Sequence, residues 1–244
     1  METQPTSLSP KFSVVIPVFN EEENLSKLTN ELVYQLKILG HSYEIVFVDD
    51  GSNDNSFQVI SNLKKENEGI RIVQLASNQG QSAAFDAGFK NSLGEIIITL
   101  DADLQNDPAD IPHLLKNLDQ YDMVCGWRAN RNDRFIKRIC SRIANTIRNF
   151  LTNENIRDTG CSLKVFRKEC LQNIKLFKGM HRFFPTLAKI NGFRVGQIKV
   201  NHRPRVYGLS KYGILNRLWS PFIDLLVVRW KINRNLNYEV LRID

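Results

Sequence analysis

Long apolar runs are what this sequence lacks most. No unbroken hydrophobic stretch in the 244 residues approaches the ~20 that a bilayer-crossing helix needs, so a membrane span is not expected. Met1 to Pro10 is polar and has no apolar core, so a secretory signal is not expected either, and cytoplasmic synthesis follows. Cysteine and histidine are scarce, with four of each. Cys125, Cys140, Cys161 and Cys170 show no C-x-x-C spacing and no histidine neighbours, which argues against a zinc site and against a disulfide framework. His181 and His202 stand among basic and aromatic residues. Without ligand spacing they read first as structural hydrogen-bonding groups, while His41 and His113 read as surface or turn residues. Two glycine cradles are also missing. There is no G-x-x-x-x-G-K-[ST] and no strand followed by G-x-G-x-x-G, which disfavours a P-loop ATPase and a Rossmann dehydrogenase. No helix-turn-helix, aromatic RNA-binding motif or cysteine-histidine finger is visible, so nucleic acid is not an expected partner.

What is present is ordinary globular composition, 42% hydrophobic and 24% charged, with a net charge of +7. The charge is uneven: Asp and Glu are rich before about residue 126, whereas Trp127 to Lys231 carries most of the Arg and Lys. The second half is therefore suited to an anion, whether a lipid headgroup or a phosphorylated substrate. Runs rich in β-branched residues at 12–18, 43–48, 70–75 and 95–100 have strand length. Between them, 22–39, 56–66 and 81–92 have helical spacing. The first places Leu25, Leu28, Leu32, Leu36 and Leu39 on one face, with Gly40 as its stop. This alternation predicts an α/β fold with a Rossmann-like, mainly parallel sheet flanked by helices on both faces.

Asp101-Ala102-Asp103-Leu104-Gln105 directly follows the apolar run ending at Leu100, and so falls at the carboxyl end of a buried strand, where open α/β sheets hold ligands. Two carboxylates and an amide suit a hard divalent cation, Mg²⁺ or Mn²⁺, shared with substrate phosphates. A surface turn with acidic residues would share the pattern. Asp49-Asp50-Gly51-Ser52 after the second strand reads either as a turn with a helix cap or as a place where Asp50 accepts hydrogen bonds from a base or ribose. Asn78-Gln79-Gly80 after the third is a cap or a backbone donor near phosphate.

Val14 to Glu21, Val48 to Ser52, Asn78-Gln79-Gly80 and Leu100 to Pro108 together resemble glycosyltransferase family 2, with the GT-A fold. Asp101 to Gln105 is most similar to the dolichyl-phosphate mannose synthase and bacterial polyprenyl-phosphate glycosyltransferase branch. The resemblance continues in Val124 to Arg128, Asp158 to Lys164, and His202 to Tyr212. It implies that Asp101, Asp103 and Gln105 surround the metal, and that Pro17, Phe19, Glu21 and Asp50, with Asp101, hold the nucleotide. It further implies that Arg205, Ser210 and Lys211 cover the donor diphosphate and that Arg128, Lys137 and Arg138 clamp an acceptor phosphate. The implied reaction is inverting, metal-dependent transfer of a sugar from a UDP- or GDP-sugar to a polyprenyl phosphate. A carbohydrate hydroxyl as acceptor, or a silent nucleotide-sugar binder, are the alternatives. A phosphate acceptor is already anionic near neutral pH and needs orientation more than a base. A hydroxyl acceptor needs one, and Asp158 is then the candidate, unless it caps a helix or holds a loop.

The expected organisation is a catalytic domain over 1–211, with a nucleotide-binding half at 1–125 and an acceptor half at 126–211, followed by an amphipathic C-terminal helix and polar tail at 212–244. Between Tyr212 and Trp230 apolar residues are interleaved with Arg217, Asp224 and Arg229, which suits a helix lying at a membrane interface. Trp219 and Trp230 would sit at headgroup depth, with Arg217, Arg229 and Lys231 near anionic lipid. Packing on the catalytic domain or on a partner chain fits the same pattern. The corresponding location is the cytoplasmic face of a membrane, with peripheral contact and, conceivably, a separate anchoring subunit.

Overall fold

The computed structural model describes residues 9–129, 146, 148, 149, 152, 155–171, 174–205 and 216–234, with backbone alone over 216–222. Its centre is a seven-stranded sheet. In chain order the strands are β1 (Phe12–Val18), β2 (Tyr43–Asp49), β3 (Ile70–Gln74), β4 (Ile96–Thr99), β5 (Met123–Arg128), β6 (Lys164–Arg167) and β7 (Val195–Val200). Their spatial order is β3-β2-β1-β4-β6-β5-β7. β6 runs antiparallel to both its neighbours, and every other pairing is parallel. The expected mainly parallel sheet is therefore present, with one reversed strand. The carboxyl ends of β1, β2, β4 and β5 share one edge, and the amino end of β6 joins them there.

Side-chain alternation sets the two faces. Val14 and Ile16 of β1 point into one apolar layer with Leu25, Leu28, Leu32 and Leu36 of α1 (Glu22–Ile38), and with α2 (Ser56–Glu66) and α4 (Ile111–Lys116). Val15 of the same strand faces the other layer, which holds Phe85 of α3 (Gln81–Asn91), Phe184 and Leu187 of α5 (Phe184–Ile190), and Leu225 and Val228 of α6 (Asn216–Arg234). The four α1 leucines are fully buried, each contributing about 1.5–3 kcal/mol of transfer free energy. α1 ends as its sequence signals: Leu39 is the C-cap and Gly40, at φ 68°, takes the left-handed conformation that follows many helices.

α3 lies very close to the sheet. A Cβ added to Gly88 would stand 2.3 Å from Val15 Cγ1 and 3.1 Å from Val48 Cγ2, so the helix reaches its position only because this residue has no side chain. This contact seats the body of α3 on the sheet, and Gln81 stands at the helix's amino end.

Cys125, Cys161 and Cys170 are buried; Cys140 lies outside the described residues. No helix among the described residues is long and apolar enough to cross a membrane.

Candidate active site

The loop after β4 is built around an unusual backbone. Leu104 has φ 60°, a conformation that a leucine adopts at a cost of about 1–2 kcal/mol, and its side chain is fully buried. Burial of the leucine holds the turn in place. The turn in turn lets the Gln105 N–H donate to Asp103 Oδ1 at 3.1 Å.

The chain after β7 lies antiparallel against this loop. Asn106 and His202 form an isolated bridge, and the Arg203 N–H donates to the Gln105 carbonyl at 2.9 Å. The Arg203 guanidinium anchors the crossing by pairing with Glu31 of α1 at 2.6 Å and Asp107 at 2.7 Å. Two residues on, Arg205 Nη2 donates to Asp103 Oδ2 at 2.7 Å. A cation from the basic second half thus meets the acidic loop of the first half. Lys211 and Ser210 lie outside the described residues, as do Lys137 and Arg138.

Asp101 is held on its other side. Gln81 Nε2 donates to Asp101 Oδ1 at 2.7 Å. Burial, followed by the neighbouring Asp103 carboxylate, pushes its acid up to about 6, while Ser162, Lys164 and Arg128 pull the other way. A carboxylate that resists ionising beside a second one is a donor that a divalent cation would relieve. Among the described residues no group of three or more His, Cys, Asp or Glu could hold a metal. Asp101 and Asp103 are only two carboxylates, so a hard cation shared between them would complete its shell with neutral oxygens, water and substrate phosphate.

Pro17, Phe19 and Glu21 follow one another along the end of β1, next to the end of β2. Glu21 accepts from the Asn24 amide at 2.6 Å, and its N–H donates to Ser56 Oγ at 2.8 Å. Asp50 is buried, and its two oxygens take the N–H groups of Gln79 at 2.7 Å and Gly80 at 2.8 Å. It therefore clasps the loop that opens α3. Gly51 makes this approach possible at φ 70°: a Cβ there would lie 2.7 Å from Asn78 N.

Arg128 and Asp158, which sequence reading assigns to separate tasks, form one buried pair. Arg128 Nε donates to Asp158 Oδ2 at 2.7 Å and Nη2 to Oδ1 at 3.0 Å, and the Arg128 and Gly160 N–H groups add 3.2 and 3.1 Å bonds. Although burial opposes the charge, Asp158 holds the guanidinium above its ordinary value. Asp158 thus fixes the loop after it, and Arg128 enters the site already neutralised.

Behind Asp101 lies a cavity of about 140 Å³ whose wall includes Gln81, Ser162, Lys164, His181 and Arg182. This is below the roughly 300–1,000 Å³ of sites that enclose a drug-sized ligand, and suits one portion of a longer molecule. Sequence reading left His181 as a structural group and passed over Lys164 and Arg182. Ser82 Oγ accepts the N–H groups of Gly179 at 3.0 Å and His181 at 3.4 Å, so its own proton goes to His181 Nδ1 at 2.8 Å. His181 is thereby the Nε2–H tautomer. Burial first, then Arg182 and Lys164, push its pKa down to about 3, so the ring is neutral.

A mainly parallel sheet with an acidic loop at the end of a central strand, a clasped loop opening the helix before that strand, and a cation from the second half of the chain is the arrangement of a GT-A glycosyltransferase. Comparison with known proteins agrees. The profile described as Glycosyl transferase family 2 matches residues 13–175. Dodecaprenyl-phosphate galacturonate synthase of Rhizobium johnstonii is 38% identical over 226 residues, 90% of this chain and 67% of that protein. Glucosyl-3-phosphoglycerate synthase from Mycobacterium tuberculosis, solved with Mn²⁺, uridine diphosphate and phosphoglyceric acid, superposes with a TM-score of 0.68 at 16% identity, over 93% of this chain and 80% of that one. S. aureus TarS 1-349, solved with UDP-GlcNAc, gives 0.64 at 17% identity, over 93% and 68%. The chain belongs to glycosyltransferase family 2, and it is a glycosyltransferase enzyme.

Proposed function

We propose that the protein transfers a sugar from a UDP- or GDP-sugar to a polyprenyl phosphate, with inversion at the anomeric carbon and with Mg²⁺ or Mn²⁺ as cofactor. One observation carries this reading: the 2.7 Å contact of Arg205 with Asp103, which brings a cation and the acidic loop to one point at the sheet edge. The Rhizobium relative is named for a polyprenyl-phosphate acceptor, and the Mycobacterium structure holds Mn²⁺ with uridine diphosphate. Only the reaction class is carried over from the relative; the pocket decides which sugar moves.

In this reading Pro17, Phe19, Glu21 and the Asp50-clasped loop shape the nucleotide cleft, and Asp101, Asp103 and Gln105 hold the cation. When bound, the cation offsets the charge that develops on the leaving diphosphate. Arg205 turns from Asp103 to the diphosphate, joined by Ser210 and Lys211, and adds charge stabilisation where the bond breaks. Asp158 acts as a positioning residue, because its carboxylate is already spent on Arg128; an anionic phosphate acceptor needs no base. Arg128, Lys137 and Arg138 form the acceptor side, and 212–244 is the segment that meets the membrane.

The test is transfer from nucleotide sugars with Mn²⁺ to undecaprenyl phosphate, to soluble sugars and to water, with Asp103→Asn alongside. Product on the lipid phosphate, reduced on the order of a thousandfold in the variant, is expected. Transfer to soluble sugars alone would replace the lipid acceptor with a hydroxyl. An Asp103→Asn variant equal to the parent would remove the acidic loop from catalysis.

A further inference from the structure

The cavity beside Asp101 is lined by a buried cation that forms no salt bridge among the described residues. Lys164 opens β6, opposite Thr99 in the ladder with β4, and only 3% of it is exposed. Its ammonium donates to the Cys161 carbonyl and makes no other hydrogen bond or ion pair among the described residues. Its charge acts on the Asp101 carboxylate, which also lines the cavity. A cation shared by Asp101 and Asp103 would claim that carboxylate, and a buried ammonium left without a counter-charge is strongly disfavoured. Arg182 lines the same space, where it forms no salt bridge among the described residues although its charge acts on Asp224, and neutral His181 lines it too. Three donors, two of them charged, face a cavity too small for anything but one sugar-sized group.

Resting on the proposed donor site, we infer that this cavity reads a carboxylate on the transferred sugar, so that the donor is a nucleoside diphosphate hexuronate, with Lys164 and Arg182 as its specificity-determining residues. A nucleotide sugar bound through its diphosphate at Asp101 and Asp103 extends its ring past Asp101 into this space. The acid group then supplies the anion that Lys164 lacks. A neutral hydroxymethyl at the same position leaves the ammonium unpaired, and selectivity follows from that penalty.

The test compares matched donors that differ only at that carbon: UDP-galacturonate with UDP-galactose, UDP-glucuronate with UDP-glucose, and GDP-mannuronate with GDP-mannose. Each is assayed for transfer to undecaprenyl phosphate and, by calorimetry with Mn²⁺, for binding. One acidic donor should exceed its neutral twin by about a hundredfold or more in kcat/KM. Lys164→Met and Arg182→Met should each remove most of that ratio, by lowering kcat/KM for the acidic donor far more than for its neutral twin. Arg182, being partly exposed, serves as the second variant should Lys164→Met fail to fold. Equal or better use of neutral donors by the parent overturns the inference and leaves the transferase reading standing. Equal losses for both twins in the variants also overturn it and assign Lys164 to the diphosphate. Absence of transfer with the acidic binding preference intact overturns the transferase reading and keeps the pocket.

Discussion

Single residues in the acidic loop carry conflicts that mutation can expose. Leu104 combines a left-handed backbone with a buried side chain, so its substitutions separate the two terms. Alanine removes the packing and keeps the strain, whereas glycine removes both. We expect Leu104→Gly to be about 1 kcal/mol more stable than Leu104→Ala in urea titration, the reverse of the usual order. An alanine variant equal to or above glycine would show that the turn is not strained. His181 gives a pH signature. Its folded pKa, down to about 3, lies below the ordinary 6.5, so the unfolded chain takes up the proton first. Its contribution is intact above 6.5 and is lost as pH falls toward 3, at up to about 1.4 kcal/mol per unit. Asp101 acts in the opposite sense: with a folded pKa of about 6, it favours folding as pH falls from 6 toward 4. The two offset each other in the parent. His181→Gln should therefore lose less stability than the parent between pH 6.5 and 4, measured as paired unfolding midpoints; parallel pH profiles would refute a neutral buried ring.

Elements show what the sequence reveals and what it hides. The four parallel strands and three helices up to residue 99 follow from hydrophobic period and length, because β1, β2 and β4 are buried on both faces, β3 is a half-buried edge strand, and each helix buries one face. The acidic loop was legible for the same reason, since a polar cluster directly after an apolar strand has one place to emerge. β6 was not legible: four residues that begin with Lys164 and end with Arg167 give no apolar run, and the strand exists because β4 and β5 supply both its edges. The Arg128–Asp158 pair is hidden by 30 residues of separation, and the Ser82–His181 link by 99. Charge type suggests roles for such residues, but pairing decides them. α3 carries an expectation at this scale. An alanine in a helix ordinarily gains about 1 kcal/mol over glycine. At Gly88 the added methyl meets Val15 and Val48, so Gly88→Ala should instead cost about 1–3 kcal/mol and loosen the Gln81 contact with Asp101. Thermal unfolding of the variant decides the sign.

At the scale of the whole molecule, the cavity beside Asp101 and the outer surface are linked through α6. Leu225 and Val228 bury against the α3 and α5 layer, and Asp224 stands against Gly179, two residues before His181 of the cavity wall. The opposite face leaves Ile223, Leu226, Val227 and Trp230 between 41% and 65% exposed, at helical spacing, with Arg229, Lys231 and Arg234 on the same helix. An apolar stripe bordered by cations matches an anionic bilayer surface, and a lipid-borne acceptor requires the site to stay near that surface. Each large side chain inserted is worth about 1.5–3 kcal/mol, or roughly tenfold or more in partition. The double variant Ile223→Ser with Trp230→Ser should therefore fail to sediment with vesicles containing phosphatidylglycerol, whereas the parent sediments at low salt and less so at high salt. Transfer should divide in the same way: the rate to vesicle-embedded undecaprenyl phosphate falls at least about tenfold, while the rate to a short, water-soluble prenyl phosphate is unchanged, because the site itself is untouched. A variant that loses both rates together would place these side chains in the fold, and one that keeps both while the parent elutes as a dimer would give the stripe to a second copy of the chain.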